Sequence, residues 1–380
     1  MFDDVDLGRL RRRRTVKWSL YGPDVLAAWV AEMDFDVAAP IRSALLAAVE
    51  RQDFGYVAAD LSELTSSCAS FLLDAHDWEV PPTRVFPVAD VLAGIAGALD
   101  TFVAEGAPVV LPTPAYPPLF EVIELGRRPV VPVPMVTQEG RPGLDLQAID
   151  DAFAAGARAM LLCNPHNPTG RAFGRDELVP LADIVDRRGA RVVADEVHAP
   201  LVYPERRHVP YASSCPAAAD HTVTVTSASK AWNLAGLKCA QVVTSNHADS
   251  AAWRRLPVFQ VPGPAPLGVA ASMAAYGSGA AWLGDLVRYL ASNRALLGDL
   301  LAAELPGVTY HRPEATYLAW LDCTALDLED PARHFLDHGG VAVSDGPPFG
   351  AGSEQFVRLN FATSSAVLER IVAAMGASVR

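Results

Sequence analysis

Ser227, Ser229, Lys230 and Lys238 follow an apolar, β-branched run at 221–226 (HTVTVT). A strand that delivers a lysine to a desolvated edge lowers its pKa. The neutral amine is then available to condense with a carbonyl as a Schiff base. Two hydroxyls, the backbone N–H groups of a small-residue turn and a second cation are what a phosphate beside that lysine needs. Residues 226–240 (TSASKAWNLAGLKCA) carry all of these. They also fit a plain strand that ends in a polar turn with a solvated lysine. Alone, the stretch leaves both readings open.

Two distant stretches bear on the choice. Residues 163–170 (CNPHNPTG) follow the apolar run 159–163, and residues 194–203 (ADEVHAPLVY) follow 191–194. Each run reads as a parallel strand. Pyridoxal phosphate needs an acid for its pyridinium nitrogen, a donor to its phenolic oxygen, a Schiff-base lysine and a phosphate cup. Asp195, Asn167, Lys230 and the trio Ser227, Ser229 and Lys238 supply them, in an order that a doubly wound sheet brings together. Asp195 directly follows a buried run, where an uncompensated carboxylate is costly and a pyridinium would compensate it. Glu196 is expected to face away or support the turn, and Asn164 to stabilise its own turn. His166 has no second ligand at suitable spacing, so no metal is expected.

On the motifs NPHNPTG, DEVHAPLVY and SASKAWNLAGLKCA, with WVAEMDF (29–35), PTPAYPP (112–118) and FVRLN (356–360), the chain resembles a known family. It is similar to fold-type I pyridoxal-phosphate enzymes of the aminotransferase class I/II superfamily. Within it, the chain most resembles the cystathionine β-lyase-like C–S lyases, the MalY/PatB group. The likeness runs from Lys17 to the last helix. It implies that Tyr116 stacks on the cofactor and supplies a proton near the departing group. It implies that Arg358 binds the substrate α-carboxylate, and that Met33 and Asp34 line the substrate end. His198 and Tyr203 would support the cofactor site. Tyr56 would reach across a homodimer interface to the neighbour's cofactor phosphate. Asp90 is expected to cap a helix with its side chain turned away, leaving the backbone N–H groups of Asp90 and Val91 for the phosphate.

The reaction implied is cleavage of cystathionine or another cysteine S-conjugate to a thiol, pyruvate and ammonia, with Lys230 as the base for the Cα proton. Amino transfer to a 2-keto acid is the alternative. Both use the same residues, so the lyase reading rests on subgroup likeness.

The elements that must hold these residues alternate strand and helix between 129 and 189, as a βαβ series should. Strands are expected at 29–35, 84–88, 108–111, 239–245, 317–322, 341–344 and 355–360. Helices are expected at 40–51, 60–74, 90–102, 145–155, 175–188, 248–255, 330–338 and 364–377. Residues 112–120 read as a proline-stiffened loop, and 344–350 as a loop that closes over the ligand. The fold class expected is α/β, a mostly parallel large-domain sheet with helices on both faces plus a smaller α+β domain. The boundaries expected are 1–50 for an arm and part of the small domain, 51–275 for the cofactor domain and 276–380 for the small domain.

A length of 380 residues, 51% hydrophobic and 20% charged, suits such a globular core. A net charge of −13 opposes wholesale nucleic-acid binding, and residues 11–14 read as a solvated basic face. Five scattered cysteines without a C-x-x-C pair fit reduced thiols in the cytoplasm. No signal peptide is visible, and no apolar run reaches the ~18 residues of a membrane helix.

Overall fold

The computed structural model describes residues 2–138, 140–257 and 259–380. Two short helices, α1 (Leu7–Arg11) and α2 (Val16–Ser19), lead into β1 (Leu26–Ala27). After α3 (Ala39–Glu50) and α4 (Ser62–His76) the chain enters a seven-stranded sheet. It runs β2 (Val85–Val88), α5 (Val91–Phe102), β3 (Val109–Thr113), α6 (Pro117–Leu125) and β4 (Val130–Pro134). A hairpin of β5 (Val136–Gln138) and β6 (Arg141–Gly143) precedes α7 (Leu146–Ala154). Then come β7 (Ala159–Cys163), α8 (Arg175–Arg187), β8 (Arg191–Asp195), α9 (Pro216–His221), β9 (Thr222–Thr226), β10 (Ala240–Thr244) and α10 (His247–Arg254).

The strand order is β2-β10-β9-β8-β7-β3-β4, with β10 antiparallel to its neighbours and the other pairs parallel. Successive side chains of a strand face opposite ways, and here both sets are apolar. Leu111, Leu161, Val193 and Val225 pack with Ile95 and Leu99 of α5 and Leu119 of α6. Val110, Met160, Leu162 and Val192 pack with Ile149 of α7 and Leu178 of α8 on the other face. Helices on both faces force parallel crossovers, so the C-terminal ends of β7, β8 and β9 come out along one edge. Helix α5 lies close against this sheet. A Cβ on Gly94 would stand 2.8 Å from Val225 Cγ1, so a bare backbone there lets the helix approach.

The remainder packs on α11 (Pro266–Ser278) and the long α12 (Ala280–Glu304), and α3 lies against α11. A second, antiparallel sheet has the order β11 (Thr309–Tyr310), β12 (Leu318–Asp322), β15 (Phe356–Asn360), β14 (Ser344–Asp345). Helices α13 (Pro331–Gly339) and α14 (Ser365–Ser378) pack together, and β13 (Val341–Ala342) pairs with β1.

Four local expectations change. Residues 29–35 are not a strand; several of their backbone groups are met by side chains, with Asn360 Nδ2 donating to the carbonyls of Val30 and Glu32 at 2.7 Å. The loop at 112–120 gives way to α6, because Pro117 sits in its first turn, where no N–H is needed. The strand expected at 341–344 is divided between two sheets, β13 on β1 and β14 on β15. The β5–β6 hairpin was not anticipated. No helix among the described residues is long and apolar enough to cross a membrane.

Candidate active site

A cavity of about 210 Å³ opens at the carboxyl ends of β7, β8 and β9. Lys230, Asp195, Asn167, Tyr116, His198, Ser227, Ser229, Lys238, Asp90 and Val91 all line it. Parallel strands with one-way crossovers bring these separated motifs to a common edge.

Lys230 Nζ donates to the Ala31 carbonyl at 3.2 Å. Burial, reinforced by the Arg358 charge, lowers its pKa to about 8, against the pull of Asp195 and Glu32. The same carbonyl accepts from Tyr317 Oη at 3.0 Å. Asn233 holds the neighbouring backbone at both ends, its Oδ1 accepting from Met33 N at 2.9 Å and its Nδ2 donating to Met33 O at 3.0 Å. Sequence reading missed Ala31, Tyr317 and Asn233. A backbone acceptor leaves no trace in residue type. Asn233 and Tyr317 carry only the weak signal of polar groups inside motifs that are otherwise apolar.

Asp195 is buried and accepts one bond, from Val197 N at 3.2 Å. Among the described residues no cation pairs with it, and burial raises its pKa to about 6. His198 is buried with Nδ1 unpartnered, and burial lowers its pKa to about 3, so the ring is neutral. Asn167 accepts from Arg358 Nη1 at 2.9 Å through Oδ1, which leaves its Nδ2 donors for the cavity. A buried anion without a cation, an unmatched imidazole nitrogen and a neutralisable amine fit a pyridinium with a carbonyl and a phenolic oxygen. Pyridoxal phosphate therefore suits this donor set.

The phosphate end differs in detail from expectation. Asp90 caps α5, accepting from Ala93 N at 2.8 Å, but it is not turned away. Its Oδ2 takes the Lys238 ammonium at 2.8 Å, because a half-buried carboxylate next to a cation ion-pairs with it. Ser227 donates to the Cys239 carbonyl at 2.7 Å and accepts from Ser229 N at 3.0 Å, so its hydroxyl orders the turn. Ser229, Val91 and Leu92 at the start of α5, and Lys238 on its Asp90 partner line the end of the cavity where an anion would sit.

Tyr116 immediately precedes α6 and walls both this cavity and an outer one of about 440 Å³. Burial raises its phenol pKa, which keeps the proton on. Arg358 lines the outer cavity. It is buried, yet its partners are neutral: Asn167, the Trp29 carbonyl at 3.1 Å and Ser344 Oγ at 3.1 Å, with Nε unpartnered. A buried guanidinium with neutral partners only is suited to bind an anionic ligand.

Other expected residues lie elsewhere. Met33 is fully buried and lines neither cavity. Asp34 does not line them either. It forms an ion pair with Lys17 at 2.9 Å, both side chains 1% exposed, and accepts from Trp18 Nε1 at 2.8 Å. A carboxylate desolvated this far needs a cation, and the arm supplies it. Asp34→Ala would leave buried Lys17 without a carboxylate, with only the Glu32 carbonyl as acceptor, so it should lower folding stability by about 3–5 kcal/mol. The urea midpoint should fall while the KM of the folded enzyme stays. A raised KM at unchanged stability would return Asp34 to the substrate side. Tyr203 is buried, donating to the Thr316 carbonyl at 2.6 Å. Glu196 supports the turn, accepting from Tyr211 N at 2.8 Å and pairing with His208 at 3.0 Å. Asn164 accepts from Phe173 N at 3.0 Å, and His166 pairs with Thr169 Oγ1 at 2.9 Å. Tyr56 is fully exposed beside a surface groove.

Residues 25–375 match the aminotransferase class I and II family. The cystathionine beta-lyase of Corynebacterium glutamicum is 39% identical over 96% of both chains. The cystathionine beta-lyase PatB of Bacillus subtilis is 32% identical over 94% of both. Among solved structures, the PLP-bound C–S lyase from Staphylococcus hominis superposes with a TM-score of 0.92 at 25% identity, covering 100% of this chain and 98% of that one.

Proposed function

The chain belongs to the aminotransferase class I and II family, and from that premise we propose that it cleaves the Cβ–S bond of cysteine S-conjugates. It is a pyridoxal-phosphate-dependent carbon–sulfur lyase of the cystathionine β-lyase type, releasing a thiol, pyruvate and ammonia. The likeness to the cystathionine beta-lyases carries the lyase reading over amino transfer. Lys230, an amine of lowered pKa held on the Ala31 carbonyl in one cavity with Asp195, supports the pyridoxal-phosphate chemistry that both share.

When bound, the cofactor supplies an electron sink for the pair left at the substrate Cα. The residues do the rest. Arg358 anchors the α-carboxylate, which aims the Cα–H at Lys230. The neutral Lys230 amine takes that proton. Asp195 holds the proton on the pyridine nitrogen, and Asn167 donates to the ring oxygen. Tyr116, whose phenol keeps its proton, gives it to the sulfur as the C–S bond breaks and the thiolate takes the pair. The remaining three-carbon fragment, 2-aminoacrylate, takes up water to give pyruvate and ammonia. Ser229, Lys238 and the amino end of α5 hold the phosphate. The working unit in this reading is a cytoplasmic homodimer in which exposed Tyr56 completes the neighbour's phosphate site.

The test is purified enzyme with L-cystathionine and no keto acid. Pyruvate and ammonia should appear in equal amounts. Amino transfer to an added 2-keto acid, with no pyruvate from any cysteine conjugate, would sink the lyase reading.

A further inference from the structure

Five successive carbonyls, from Trp29 to Met33, each accept from a side chain. Ser344 Oγ and Arg358 Nη2 donate to Trp29 O, and Asn360 Nδ2 donates to both Val30 O and Glu32 O. Tyr317 Oη donates to Ala31 O, and Asn233 Nδ2 donates to Met33 O. Of these five described residues, Ala31 alone lines the cavity that holds Lys230, and its carbonyl is the one that Lys230 Nζ meets. Resting on the lyase reading above, we propose that Tyr317 and Asn233 are positioning residues. Together they make the Ala31 carbonyl a fixed dock for the free Lys230 amine, the form that takes the Cα proton.

Two separate observations support this. The first is the sharing of one oxygen. A carbonyl has two lone pairs, and Tyr317 at 3.0 Å and Lys230 at 3.2 Å both donate to this one. Lys230 must leave the carbonyl to hold the cofactor and return to it as the base. Tyr317 stays throughout, so a buried acceptor is never stranded, an event that would oppose the lysine's departure. Tyr317 is fully buried and lines neither cavity, so its hydroxyl acts on the acceptor and not on the substrate.

The second is the tie between the two segments. Asn233 lies three residues beyond Lys230 and grips Met33 through both its N–H and its carbonyl. The turn that carries the amine is thereby fastened to the segment that carries its acceptor. A lysine on its flexible stem can sweep a wide volume. With one N–H on a fixed oxygen, the amine keeps its place, and its lone pair is confined to an arc around that bond. Placement of a base to within about 1 Å is worth up to about 100-fold in rate.

The experiment measures pyruvate release by wild type and Tyr317→Phe, using a cysteine S-conjugate with hydrogen or deuterium at Cα. The variant should lose about tenfold in kcat. KM should stay, because Arg358 keeps Asn167 and Ser344. The deuterium effect on kcat should rise as proton removal becomes slower. A merely structural role would lower the melting temperature and leave the deuterium effect in place. The apoprotein gives a readout that needs no turnover. Asp195, Glu32 and Arg358 also act on the Lys230 amine, and all three remain in the variant. Without the phenol, the carbonyl is freer to favour the ammonium form. The midpoint for pyridoxal phosphate uptake should therefore move up by about 0.5–1 pH.

Asn233→Gly is the second variant, since its φ of 60° suits glycine. It should also lose kcat at unchanged KM, and it decides by kcat and the deuterium effect if Tyr317→Phe does not fold. Wild-type kcat and deuterium effect in the folded variants, or an uptake midpoint that Tyr317→Phe leaves in place or lowers, overturn the proposal. If no conjugate yields pyruvate, the lyase reading itself has failed. The dock is then judged by apoprotein uptake alone, and equal midpoints in wild type and Tyr317→Phe overturn it.

Discussion

Lys230→Ala is expected to lower pyruvate formation by about 10⁴-fold, the upper end of what loss of a positioned base removes. The variant loses both the amine that anchors the cofactor and the base that faces the substrate Cα. The rest of the cavity is unaffected, since Lys230 donates only to the Ala31 carbonyl, which keeps Tyr317 as a donor. Cofactor should therefore still be retained by the Asp195 and Ser229–Lys238 ends, with a changed visible spectrum. A small primary amine added to the assay should restore part of the rate. The wild-type amine gives a matched pH signature. With a pKa of about 8 in the free protein, it is mostly protonated below that pH and neutral above. Uptake of pyridoxal phosphate by the apoprotein should accelerate as pH rises through about 8 and then level off. A variant with near-normal turnover would remove Lys230 from the chemistry.

Arg358→Ala is expected to reduce kcat/KM by about 30- to 4000-fold, mostly through KM. That range follows from the roughly 2–5 kcal/mol lost when one partner of a buried, hydrogen-bonded charge pair is truncated. Burial lowers the Arg358 pKa to about 10, a sign of how poorly its surroundings solvate the cation. In the proposed reaction the substrate carboxylate would relieve this. Arg358→Lys should recover only part of the loss, because an ammonium lacks the planar fork that meets Asn167 and Ser344 while turning two parallel N–H groups to a carboxylate. The competing role is positional, with Arg358 merely holding the Asn167 amide. In that case cofactor affinity would fall and KM would not, so measuring both separates the two.

Much of the site is legible in the residues because strand-end geometry is a local property. An apolar run followed by CNPHNPTG, ADEVHAP or SASK places Asn167, Asp195 and Lys230 at carboxyl ends of β7, β8 and β9. Parallel crossovers of fixed hand then leave one edge for them to share. The helix cap at Asp90 follows from the same logic, since it depends on the next few residues only.

What the tertiary structure alone decided are pairings between segments far apart in the chain. Asp34 lies in a motif that resembles the family's substrate end, yet Lys17 on the arm reaches it first. The 29–35 segment has an apolar look but finds no strand edge, so Asn233, Asn360 and Tyr317 satisfy its backbone instead. The Lys238–Asp90 pair, the bond from Ser227 to Cys239 and the Ala31 carbonyl under Lys230 are likewise products of packing. Residue type tells which groups need a partner, because a buried charge or N–H without one is costly. It does not say which of several candidates will be nearest, and that is settled only when distant segments pack on one another.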